Sequence, residues 1–214
     1  MLVRFADDLV VMCWSRSQAE AALARLTAVL AGLGLEPKAA KTRIVHLEAG
    51  GEGFDFLGFH HRLVRSRGLG GKPRVTFLAR WPSDRAMQHA RDRIRELTAR
   101  ERLLLPVEQV VQEINTFLRG WVGYFRHGNS ARPFDKIDRY AVTRLSLFVA
   151  KRHRAPTRYG WKLVAYESPN RMGLITLNGR VIAPRPNRPW RDKPNPAARR
   201  AVGDGCFRGC AGAR

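Results

Sequence analysis

The stretch Leu2-Val3-Arg4-Phe5-Ala6-Asp7-Asp8-Leu9-Val10-Val11-Met12-Cys13-Trp14 decides how the rest of the chain is read. Two β-prone runs, 2–6 and 9–14, are separated only by Asp7-Asp8, a spacing that predicts a tight antiparallel hairpin. Adjacent residues on a regular strand point to opposite faces, so neighbouring carboxylates converge on one point only where the backbone turns sharply. Held together, Asp7 and Asp8 repel. A divalent cation is the natural means of keeping both ionised, and Mg²⁺ is the expected ion. A pair of such ions can activate a 3′-hydroxyl and stabilise a leaving pyrophosphate. Asp-Asp is also a good turn dipeptide, and on the dipeptide alone the plain turn is the favoured reading.

Working outward, Ser17 with Glu20 three residues on forms a capping-box pattern. Ala19, Ala22, Leu23, Leu26, Leu30 and Leu33 then repeat at helical spacing until Gly34 offers a C-terminal cap. Residues 35–37 and 42–47 read as short extended pieces. A Gly50-Gly51-x-Gly53 turn leads into an apolar strand over 54–60, broken by Gly58, and a further strand is expected over 72–78. After Pro82 the period changes. Residues 84–102 carry Met87, Ala90, Ile94 and Leu97 on one face of an amphipathic helix. Pro106 is placed as the first residue of a helix bearing Val107, Val110, Val111, Ile114, Phe117, Leu118 and Trp121. Pro133 opens a third, with Phe134, Ile137, Ala141, Leu145 and Phe148 inward and the basic run 151–154 at the negative end of its dipole. Beyond 155, short strands are expected over 162–166, 174–177 and 181–183, with Asn178-Gly179 as a hairpin turn. From Pro184 onward Pro, Arg, Gly and Ala predict a basic, disordered tail.

The 214 residues carry a formal charge of +21, with 39 Lys and Arg against 18 Asp and Glu. Residues 1–60 are net −1 and residues 61–214 net +22, so nearly all the excess lies downstream of the acidic pair. Such an imbalance points to a polyanionic partner rather than a small molecule. The cations are mostly arginines, suited to bidentate phosphate contact, and are interleaved with Trp81, Trp121, Tyr124, Phe125, Tyr159, Trp161 and Trp190. The longest apolar run, 9–14, is far short of the ~20 residues of a membrane span. With no signal-peptide pattern and only Cys13, Cys206 and Cys210, a cytoplasmic location is expected and no membrane partner.

Phe5-Ala6-Asp7-Asp8 between apolar strands resembles the aromatic-Ala-Asp-Asp motif of reverse transcriptases. Gly34-Leu35-Glu36 followed by Lys41-Thr42-Arg43-Ile44 resembles the next polymerase motif, and Phe54-Asp55-Phe56-Leu57-Gly58-Phe59 the one after it. Ile114-Asn115, Leu118-Arg119-Gly120-Trp121 and Tyr124-Phe125-Arg126 resemble the signature of the maturase domain, the thumb-like module of group II intron-encoded proteins. Four blocks in this order, over roughly residues 1–150, make a specific likeness. The resemblance implies an α+β chain. It would comprise a partial reverse transcriptase palm over 1–80, a three-helix maturase (thumb-like) domain over 83–154, a short β extension over 155–183 and a basic tail over 184–214.

The resemblance further implies Asp7 and Asp8 as catalytic metal ligands, with Asp7 reaching both Mg²⁺ ions, and Lys41 and Gly58 as template-primer contacts. It implies intron RNA as partner, a DNA primer and template, and splicing assistance descended from RNA-directed DNA polymerase activity. In that family a third carboxylate and the nucleotide-holding fingers lie upstream. Glu20, Glu36, Glu48, Glu52 and Asp55 stand in the wrong blocks, so the two-ion site is expected to be incomplete here. An upstream polymerase fragment that completes it and a truncated relative are the two accounts. Arg119, Arg126 and Arg132, placed at or after helix ends beside exposed aromatics, are expected RNA contacts together with Tyr124, Lys151, Arg152 and Arg154. Phe117, Leu118 and Trp121 are expected in the core.

Cys206-x₃-Cys210 lacks the further ligands that a tetrahedral zinc set needs, and His60-His61 is similarly short of partners. No P-loop, dinucleotide fingerprint or Ser/His/Asp arrangement is present. Two other readings stay open: a non-enzymatic RNA-binding module, and a gene fragment that folds poorly because half a palm exposes a sheet edge.

Overall fold

The computed structural model describes residues 1–66, 75–168 and 170–182. Strands β1 (Leu2–Phe5) and β2 (Asp8–Val11) pair antiparallel from Leu2↔Val11 to Phe5↔Asp8. The ladder continues outward: the Met1 amino group donates to the Met12 carbonyl at 3.0 Å and the Met12 amide to the Met1 carbonyl at 2.8 Å. This is the expected hairpin with its turn one residue earlier. Ala6 and Asp7 make the two-residue connection, Ala6 at φ +49, while Asp8 opens β2 opposite Phe5.

Helix α1 (Arg16–Ala31) starts two residues before the expected box. The Ser15 hydroxyl accepts from the Gln18 amide, and the Gln18 side chain accepts from the Trp14 amide. Glu20 instead meets Arg16 at 2.8 Å on the helix surface. The far end matches expectation: Gly34 takes φ +70, its N–H donates to Ala31 and that of Leu35 to Leu30, which satisfies the last carbonyls. No residue of α1 is buried. Residues 35–49 join no strand ladder, so the expected extended pieces find no partner strand among the described residues.

The strand expected over 54–60 is in fact a second hairpin. Leu57 (φ +48) and Gly58 (φ +74) both lie in the left-handed region that two-residue hairpin loops require, so the chain reverses between β3 (Phe54–Phe56) and β4 (Phe59–Arg65). Strand β5 (Thr76–Pro82) completes a β3-β4-β5 antiparallel sheet, later in sequence than the 72–78 expected. Part of that expected strand lies outside the described residues.

Three long helices build the core. Ser83 caps α2 (Asp84–Leu97), which buries Met87, Ala90, Ile94 and Leu97 as the periodicity predicts. It stops at Thr98, whose hydroxyl donates to the Ile94 carbonyl, and a 3₁₀ turn follows over Arg100–Arg102. Pro106 precedes α3 (Val107–Phe125) as its cap rather than its first residue. Helix α4 (Ala131–Arg152) starts two residues before Pro133, which costs nothing because first-turn amides have no intrahelical acceptor. Leu118 and Trp121 are buried and Phe117 is half-buried against the same core.

The short β extension expected over 155–183 is not strand. Helix α5 (Thr157–Trp161) runs on into a π-helical segment over Lys162–Glu167. Gly160 explains why. A Cβ there would lie 1.9 Å from the Ser146 carbonyl oxygen, so only glycine lets this helix settle on α4, which carries Val164 into the core at 0% exposure. Residues 174–177 bury Leu174 and Leu177 without a strand partner; two polar side chains replace the ladder. Asn115 donates to the Gly173 carbonyl at 2.8 Å and accepts from the Ile175 amide at 2.9 Å. Asp138, 4% exposed, accepts from the Leu177 amide at 2.9 Å and from Arg171 at 2.8 Å. Gly179 turns at φ +76, but no hairpin forms around it among the described residues. Ala183 and the tail expected over 184–214 lie outside the described residues.

Candidate nucleic-acid interface

Asp7 and Asp8 are exposed, one in the turn and one at the start of β2. Among the described residues no three His, Cys, Asp or Glu side chains stand close enough to hold a metal ion.

Lys41 ends a turn in which its amide and that of Thr42 both donate to the Lys38 carbonyl, and its side chain is exposed. Gly58 and Tyr124, expected in different roles, are brought together. The Tyr124 hydroxyl donates to the Leu57 carbonyl at 2.8 Å, and Phe125 lies 3.6 Å from where a Gly58 Cβ would stand. The Phe59 ring is 5.4 Å from Tyr124 and 4.9 Å from Phe125. The positive φ of Gly58 is thus explained by the β3-β4 turn, and that turn docks on the end of α3. Arg80 fastens the other side. Its side chain donates to the His127 carbonyl at 2.9 Å, its backbone carbonyl accepts from the Asn129 amide at 2.6 Å, and its guanidinium lies 5.6 Å above the Phe59 ring. Gly128 permits this approach, because a Cβ would fall 2.6 Å from the Arg80 carbonyl oxygen. Behind the turn, His61 stacks on Phe54 at 5.0 Å. Burial, helped by Arg80 and His60, lowers its pKa, with Asp55 opposing.

The helical cations divide by what they touch. Arg102 pairs with Glu113 at 2.5 Å, Arg95 with Asp92 at 3.2 Å and Arg93 with Glu96 at 2.7 Å. Arg139 bonds Asp135, which holds that exposed carboxyl below its ordinary pKa. Arg144 bridges helices by donating to the Thr98 hydroxyl at 3.0 Å. Arg152, expected on RNA, donates to the Leu103 and Leu105 carbonyls and fastens the end of α4 to the loop before α3. Both carbonyls lie between the 3₁₀ turn and α3, outside any helix, which gives the guanidinium a structural task. Arg119, Arg126, Arg132, Lys151 and Arg154 are exposed and pair with no described acid. Arg126 caps α3 and Arg132 lies in the first turn of α4, as expected; Arg119 is inside α3 rather than at its end. The sequence pattern named Tyr159 only among the aromatics interleaved with the arginines and did not single out Arg158; both are exposed, in a stretch expected to belong to the β extension. The legible signal was the absence of any acid between 150 and 161.

No helix among the described residues is long and apolar enough to cross a membrane. No curated protein matches the chain. The family described as group II intron, maturase-specific domain, matches residues 87–166. That span begins at Met87 in α2, takes in all of α3, α4 and α5, and ends in the π-helical segment, so it holds most of the buried core and every cation just sorted from Arg93 to Arg158. Residues 87–166 of this chain accordingly match the group II intron maturase-specific domain, and the match supports reading them as the maturase part of such a protein.

Proposed function

We propose that this chain binds group II intron RNA and promotes its splicing, using the helical module as a rigid platform for phosphate-directed cations. The observation that carries the reading is the coincidence of the maturase-specific match with helices whose exposed Arg119, Arg126, Arg132, Lys151 and Arg154 have no described acidic partner. Arginine forks meet phosphate oxygens two at a time, and helices hold them at fixed spacing, which suits a structured RNA more than a flexible polyanion. The test is the splicing rate of a group II intron transcript at limiting Mg²⁺, with and without the protein. Acceleration that saturates with protein supports the reading, and equal rates overturn it.

A second reading concerns the β1-β2 hairpin, whose exposed Asp7 and Asp8 supply two carboxylates to a Mg²⁺-dependent polymerase site that needs ligands besides the described ones. Asp8 lies in a strand and Asp7 in the preceding turn, so the pair projects from one tip. Primer extension in Mg²⁺, with and without an added candidate upstream fragment, tests this. Extension lost in an Asp7→Ala/Asp8→Ala variant supports it, and no extension in either format overturns it.

A further inference from the structure

The end of α4 is built at a cost. Arg154 holds φ +51, a backbone that glycine adopts freely and a side-chain-bearing residue adopts under strain. The Arg154 amide donates to the Lys151 carbonyl at 3.1 Å and the Ala155 amide to Ala150 at 2.9 Å, so the turn is closed and the conformation is held in place. From Lys151 to Trp161 the chain carries Lys151, Arg152, Arg154 and Arg158 and no acid. Arg152 is tied to the Leu103 and Leu105 carbonyls; the other three are exposed and form no ion pair with any described residue. Beside them the rings of His153 and Tyr159 meet edge to face at 5.5 Å, with Tyr159 37% exposed. The helix dipole accounts for cations in the last turn, Lys151 and Arg152. It does not account for Arg154, which lies past the end of α4, or for Arg158, the second residue of α5. A left-handed non-glycine residue that carries an unpaired cation within four residues of two others is a local conflict of the kind that marks a binding site.

We propose that Lys151, Arg154 and Arg158 form a docking knuckle for the RNA phosphate backbone, with an unstacked base resting on Tyr159, itself braced by His153. The proposal rests on the RNA-binding reading above and names its contact surface. Three cations with no local acid complement a run of phosphates, while an exposed ring supplies the stacking surface that single-stranded RNA uses.

The test is fluorescence anisotropy of the whole chain with an end-labelled group II intron transcript across a salt series. A Lys151→Gln/Arg154→Gly/Arg158→Gln variant is expected to bind at least about tenfold more weakly and to lose about 2 to 3 from the slope of log affinity against log salt. An Arg119→Gln/Arg126→Gln variant serves as comparison and is expected to lose less affinity. Arg154→Gly alone relieves the backbone, so it should raise the melting temperature while weakening RNA binding; a purely structural turn would gain stability and leave affinity unchanged. Tyr159→Phe should retain affinity and Tyr159→Leu should lose it several-fold. If the wild type binds and the triple variant matches it in affinity and slope, the knuckle is overturned and the RNA-binding reading stands. If the wild type does not bind, both fail. Should the triple variant not fold, Arg154→Gly decides.

Discussion

Gly160 and Asp138 show how single residues set this architecture. Placing a Cβ on Gly160 drives it to within 1.9 Å of the Ser146 carbonyl oxygen and 2.8 Å of its carbon, both backbone atoms that cannot swing aside. Gly160→Ala should therefore lift α5 from α4 and cost about 1–3 kcal/mol in urea denaturation. Asp138→Ala removes an acceptor that serves the Leu177 amide and Arg171 at once, leaving a buried donor unmatched. With Arg171 partly exposed, the expected loss is about 2–3 kcal/mol, read by the same method. His61 gives a pH signature. Its folded pKa is lowered below the ordinary 6.5, chiefly by burial, so the unfolded chain binds the proton more readily. Stability from His61 is complete above pH 6.5 and is lost as pH falls below it towards the folded value. A melting-temperature series over this range should fall toward acid, and His61→Phe should flatten it.

The elements that were legible in the sequence are those with a strong internal period. Met87, Ala90, Ile94 and Leu97 mark α2, the α3 series from Val107 to Trp121 marks a second helix, and Gly34 ends α1 where its backbone must turn left-handed. The run 162–166 was not legible. Its aromatic and β-branched residues suit a strand, and what makes it helical is a groove on α4 that accepts Gly160 and Val164, a tertiary fact that no local pattern contains. The Gly58 turn was misread as a break within one strand because Leu57, rarely left-handed, hides a two-residue loop. The same turn offers a prediction that separates docking from RNA contact. Tyr124→Phe removes the hydroxyl bonded to Leu57, and it should cost about 0.5–1.5 kcal/mol in thermal stability while leaving RNA affinity unchanged. Of the expected interface, Arg126, Arg132, Lys151 and Arg154 were legible as exposed cations near helix ends. Arg152 and Tyr124 were not legible as structural, since their partners, Leu103, Leu105 and Leu57, are far away in sequence.

At the scale of the whole molecule, the uneven charge is the organising fact. The net −1 of residues 1–60 accompanies a hairpin and helix that bury nothing of their own, whereas the net +22 downstream accompanies a packed helical core. On those helices the acids are largely matched, as Asp92, Glu96, Glu113, Asp135 and Asp138 each meet an arginine. The unmatched cations are left outside, where a polyanion can supply the counter-charge. The measurement that tests this most directly is the affinity of the whole chain for a group II intron transcript between low and physiological salt. Phosphate-directed binding predicts a linear fall of log affinity with log salt, with a slope of about −0.7 to −0.9 for each phosphate neutralised, summing over several contacts. An affinity that does not change across the series would contradict the account.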